Sequence, residues 1–111
     1  MLLAVAALAQ GANHSATLTW TFTQGTGDAA TGFHVFRAST CTGTFTQVGT
    51  VSSPTTLTFT DSTVVAGQSY CYQVTAFNTG GDGPPSASVQ SAVVPFQAPT
   101  ASPGAPSIAV K

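Results

Sequence analysis

Residues 69–85 constrain this chain more than any other stretch. Tyr70, Tyr72, Val74 and Ala76 alternate with Cys71, Gln73, Thr75 and Phe77, and the run then breaks at Gly80, Gly81, Asp82, Gly83, Pro84 and Pro85. Successive side chains on an extended backbone point to opposite faces. A period of two therefore predicts a long β-strand with one apolar face, closed by a turn.

The neighbouring segments follow the same rule. Ala16, Leu18 and Trp20 alternate with Thr17, Thr19 and Thr21, while residues 24–32 hold three glycines and Asp28 and read as a loop. Residues 33–38 form a second strand, with Phe33 and Val35 on one face and His34 and Phe36 on the other. Short strands are predicted at 45–51, near a sheet edge, and at 55–60, where Leu57 and Phe59 precede Asp61. The last strand, 86–94, stops at Pro95. Helical periodicity is absent over any useful length, and short strands between Gly/Pro turns predict an all-β sandwich of two antiparallel sheets.

Both ends read differently. Pro95, Pro99, Pro103 and Pro106 lie among Ala, Ser and Gly, so residues 96–111 read as an extended linker or tail. Its end, 107–111, is either frayed or a strand for a following domain or a neighbouring sheet edge. Residues 1–12 allow three readings: a signal-peptide remnant ending at Ala7-Leu8-Ala9, a first strand, or the cut end of an expressed fragment. The apolar run is too short for a membrane-spanning helix, which needs about 20 residues.

The 111 residues suit one domain, and charged residues make up 5% of them against the usual ~25%. They are Arg37, Lys111, Asp28, Asp61 and Asp82. A net charge of −1 excludes a nucleic-acid binder driven by clustered cations, and no basic amphipathic segment exists to lie on a membrane. Cys41 and Cys71 read as one disulfide in an oxidising compartment, the alternative being two reduced thiols. Such a bridge closes about 30 residues and contributes ~3–4 kcal/mol on the chain-entropy account.

Residues 16–20 (Ala-Thr-Leu-Thr-Trp), 32–37 (Gly-Phe-His-Val-Phe-Arg), 66–78 and 80–86 together resemble the fibronectin type III family over about 13–95. An immunoglobulin domain would instead place a cysteine where Trp20 stands. The resemblance implies a seven-stranded, immunoglobulin-like sandwich with Leu18, Trp20, Val35, Phe59, Tyr70, Tyr72 and Val74 in its core. It implies that Tyr70 is the corner tyrosine, its hydroxyl bonded to backbone in the crossover before it. Strand A lacks the usual proline-led opening, and the two cysteines are additional to the pattern. Outward parity at Cys71 predicts a bridge that staples the outer face and leaves the core alone.

Chemistry is sparse. A catalytic site needs a nucleophile beside a base, or paired carboxylates; no such pattern is present, and a non-enzyme without cofactor is expected. Metal-ligand spacing is also missing. His34 reads as a solvated imidazole, and Asp61 as a turn cap. The resembled fold brings residues 24–31 and 78–85 to one pole, where Asp28 and Asp82 are either a ligand site or two solvated acids. The outer face around Phe36 and His34, with Gln73, Thr75 and Phe77, is a second candidate interface. The expected function is a secreted or cell-surface spacer, adhesion or protein-interaction module with a protein or glycan partner. A self-assembling subunit of a surface layer, filament or virion is the alternative, and an accessory domain of a secreted glycan-active enzyme follows from the resemblance alone.

Overall fold

The computed structural model describes residues 2–10, 14–96, 98, 101 and 103–110. Among them lie eight strands and no helix: β1 (Leu2–Gln10), β2 (Ser15–Phe22), β3 (Gly32–Ala38), β4 (Thr46–Val51), β5 (Thr58–Asp61), β6 (Cys71–Asn78), β7 (Gly81–Asp82) and β8 (Val89–Gln90). They form two antiparallel sheets, one ordered β1-β2-β5 and the other β4-β3-β6-β7, with β8 also paired to β6. Leu2–Gln10, open between leader and strand in the sequence, runs antiparallel to β2 with a bulge between Leu2 and Ala4.

Both sheets turn apolar faces to one core. Ala16, Leu18 and Trp20 of β2 meet Phe33 and Val35 of β3, Val51 of β4, and Tyr72 and Val74 of β6, joined by Val64 and Val94 from the connections. Phe59 and Tyr70 are half-buried against this cluster. The Trp20 and Phe22 rings each meet Phe33 edge-on at 5.3 Å, the geometry that ring quadrupoles favour. On β2 the β-branched Thr19 and Thr21 turn outward, where such side chains suit a pleated surface. Gly49 sits where a Cβ would run into the Phe59 ring. A bare backbone in β4 thus lets β5 lay its phenylalanine against the opposing sheet.

The last strand is shorter than predicted. Residues 86–94 follow β6, but regular pairing covers only Val89–Gln90. Buried serines replace the ladder on either side: Ser86 Oγ accepts from Val74 N at 2.9 Å and Ser91 Oγ from Tyr70 N at 3.0 Å. Each serine N–H donates back to the carbonyl of the same partner. Side-chain oxygens standing in for backbone acceptors end a strand without stranding buried donors. Beyond it, residues 103–110 carry no strand, with Ile108 83% and Val110 87% exposed.

Candidate functional site

Two polar clusters organise the domain, one inside and one outside. The inner cluster centres on Asp61 at the end of β5, which is 3% exposed. Its Oδ1 accepts from Thr63 N at 3.0 Å and Thr63 Oγ1 at 2.6 Å; its Oδ2 accepts from Arg37 Nη1 at 2.8 Å and the Tyr72 hydroxyl at 2.7 Å. The expected turn cap is present, and the same carboxylate also bridges the sheets, because Arg37 and Tyr72 belong to β3 and β6. Burial alone would raise the Asp61 carboxyl pKa. The bonds from Thr63, Tyr72 and Arg37 outweigh it and hold the pKa below the ordinary range. Burial and then Asp61 push the Tyr72 phenol above its ordinary value. Arg37 also lies over the Tyr70 ring, 4.6 Å from its centre, and the Tyr70 hydroxyl accepts from Val65 N at 3.0 Å. Strand parity carried the signal for this cluster. Arg37 falls on the inward side with Phe33 and Val35, and Asp61 with Leu57 and Phe59.

The outer cluster corrects the solvated-imidazole reading of His34. After Asn78 the chain turns and returns as β7, placing Asp82 opposite Phe77 and Gly81 opposite Asn78. Gly81 takes φ +120° there, a conformation costly for any residue with a Cβ. Asp82 is thereby aimed back over the sheet, where its carboxylate meets His34 Nδ1 at 2.9 Å and accepts from Thr75 Oγ1 at 2.8 Å. Partial burial works against ionisation of Asp82, but the bonds from His34 and Thr75 and the histidine's charge lower its pKa. The His34 ring stacks on Phe77 at 4.0 Å and 6°, and Phe36 meets it edge-on at 6.5 Å. Phe36 and His34 are both half-buried.

Cys41 and Cys71 are joined. Parity does place Cys71 outside the contiguous core cluster, yet the outer face is not open there. Cys71 is fully buried, because it pairs with Ala38 on one side and Gln90 on the other while the exposed Cys41 caps it.

At the pole formed by residues 24–30 and 76–84 lies a groove of about 640 Å³. Phe22, Ala76, Phe77 and Pro84 supply its apolar lining, and both Asp28 and Asp82 line it. Asp82 is committed to His34 and Thr75. Asp28 is exposed; its backbone carbonyl, not its carboxylate, accepts from Gln24 and Asn78. Gln24 also accepts from Ala30 N at 3.1 Å, so side-chain bonds fix this glycine-rich loop. Among the described residues, no three His, Cys, Asp or Glu side chains converge as metal ligands.

No protein-family model matches the chain, and no curated protein matches it. Solved structures do. An Fn3-like protein from Clostridium thermocellum superposes with a TM-score of 0.67 at 23% identity, over 90% of this chain and 95% of that one. The sixth fibronectin type III domain of human fibronectin type III domain containing protein 3 gives 0.68 at 18% identity, over 92% and 91%. A chicken CNTN1 fragment with domains FN1–FN3 gives 0.66 at 24% identity, over 86% of this chain and 34% of that one. At such identities the likeness is one of fold, and this chain has the fibronectin type III fold.

Proposed function

We propose that this protein is a non-catalytic extracellular interaction module that holds a partner at the groove between residues 24–30 and 76–84. On this reading the sheets stack as a seven-stranded sandwich, with β7 the return arm of the loop between β6 and β8. One observation carries the proposal: the charged pairs Arg37–Asp61 and His34–Asp82 are consumed in fixing the fold. Asp61 is occupied by Arg37, Tyr72 and Thr63, and Asp82 by His34 and Thr75. What the loop pole offers a partner is a largely apolar hollow, the usual form of a binding site. The disulfide supports an oxidising compartment, since thiols in the cytosol are kept reduced.

The test is retention of the intact domain on cell-surface or extracellular-matrix preparations, against a variant with residues 25–29 replaced by Gly/Ser and another altered at residues 52–56. Loss of retention in the first alone supports the reading; retention insensitive to both loops, or absent altogether, refutes it.

A second reading, a subunit of an assembly, is favoured by the exposed Ile108 and Val110 on an extended tail. Native mass measurement tests it. Oligomers that vanish on removal of residues 96–111 support assembly, and a monomer at high concentration rejects it.

A further inference from the structure

We propose that the groove receives an extended peptide segment in which a basic residue adjoins an aromatic or branched aliphatic one; this rests on the reading of the domain as a partner-holding module. The floor is apolar, with Phe22, Ala76, Phe77 and Pro84 lining it. Its volume, about 640 Å³, falls within the roughly 300–1,000 Å³ of sites that enclose a small ligand. A planar or branched apolar side chain therefore has a place to go.

Charge selects its neighbour. The groove's two formally charged residues, Asp28 and Asp82, are both acids. Among the described residues the one Lys or Arg, Arg37, is elsewhere, bonded to Asp61. A phosphate-bearing or acidic ligand meets repulsion at this pole, and a cation meets the exposed Asp28 carboxylate beside an Asp82 already oriented by His34 and Thr75. The His34 contact partly offsets the charge of Asp82, so Asp28 carries most of the selection.

The walls point to a peptide rather than a small organic cation. Gly25, Gly27 and Gly81 each face open space, with no atom within 4 Å of where a Cβ would stand. They therefore present bare backbone, which an extended segment can approach closely and hydrogen-bond. The loops bearing them are pinned by Gln24 and Asn78 side chains, so little ordering cost falls on binding.

The experiment is an NMR titration of the isotopically labelled full chain with two capped hexapeptides that differ at one position. One carries arginine beside phenylalanine, the other glutamate beside phenylalanine; a neutral oligosaccharide serves as a third probe. The expected result is amide shifts confined to residues 24–30 and 76–83, with the arginine peptide bound at least about five-fold tighter than its acidic twin. Asp28→Asn should weaken the arginine peptide by about two- to five-fold, the range of an exposed ion pair. It should leave the spectrum outside the loop unchanged, and added salt should shrink the difference between peptides. Equal binding of both peptides at the groove overturns the charge selection while the groove remains a binding site. Shifts there from the oligosaccharide alone overturn the peptide assignment. No response at the groove to any of the three overturns this inference and the functional reading beneath it.

Discussion

Replacing Asp61 by alanine tests the inner cluster most directly, because one carboxylate ties β5 to both β3 and β6. The cost can be built from what each partner loses. The Tyr72 hydroxyl is fully buried with its residue, and stranding it costs about 1–3 kcal/mol. The Arg37 side chain keeps 23% exposure against 2% for Asp61. It recovers some water, so we assign it about 1 kcal/mol instead of the ~3–5 of a sealed pair. Thr63 is exposed, and its two donors return to solvent at little cost. The sum is about 3 kcal/mol, a large part of the roughly 5–15 kcal/mol that holds a domain of this size.

Tyr72→Phe supplies the control. It removes one charge-assisted bond but leaves Asp61 its Arg37 and Thr63 donors, so it should cost about 1.5 kcal/mol. Equilibrium urea unfolding at pH 7, followed by Trp20 fluorescence with the disulfide intact, measures both. A 3 kcal/mol loss lowers the midpoint by roughly 1–3 M for ordinary urea slopes. The pH dependence has a definite sign. The folded Asp61 pKa is depressed, so its contribution is complete above the unfolded value of about 3.9 and is lost as pH falls through the folded one. Wild-type stability should decline below about pH 4, and Asp61→Ala should flatten that acid limb. A cost for Asp61→Ala below about 1 kcal/mol, or below that of Tyr72→Phe, would refute the bookkeeping.

Three further outcomes follow from the geometry. Cys41→Ser with Cys71→Ala opens a loop with a sequence separation of 30 and should cost about 3–4 kcal/mol by urea unfolding; a change below about 1 kcal/mol would mean that the buried β6 start holds without its staple. Gly49→Val drives a side chain into the Phe59 ring and should cost about 1–3 kcal/mol through overpacking, with an unaltered melting curve as the contrary result. His34→Ala removes the clamp on Asp82, and hydrogen exchange at Gly83, whose N–H bonds Ala76 O at 2.8 Å, should accelerate; unchanged exchange would assign that hairpin to its backbone bonds alone.

Alternation made β2, β3 and β6 legible, because each has one apolar face and the period of two is local. It could not reveal β7, whose two residues, Gly81 and Asp82, lie in a glycine-rich turn, and it overran the last strand: of the predicted 86–94 only Val89–Gln90 pair, because Ser86 and Ser91 replace ladder acceptors with hydroxyls. The outer cluster was also hidden. His34 and Asp82 are 48 residues apart, and nothing in a strand pattern says that a glycine-rich turn will fold back over the sheet. The inner cluster was different: Arg37, Asp61 and Tyr72 each carry inward parity in their own segments. A lone cation on an apolar face demands an acid, and Asp61 is the one acid in the chain that shares its parity.

Charge scarcity then separates stability from recognition. An ordinary domain spreads many weak surface pairs, and removing any one changes little. Here Arg37–Asp61 fastens sheet to sheet, and His34–Asp82 fastens the returning hairpin to the outer face. The rest of the surface is rich in Thr and Ser and adds few competing ions. Asp28 is exposed beside an apolar hollow, and among the described residues it is the one acid whose carboxylate makes no hydrogen bond. Substitutions at Asp61 should therefore move stability, whereas substitution at Asp28 should move binding and leave the unfolding free energy within about 0.5 kcal/mol of wild type. That division follows from which of the three carboxylates are anchored: Asp61 and Asp82 are, and Asp28 is not.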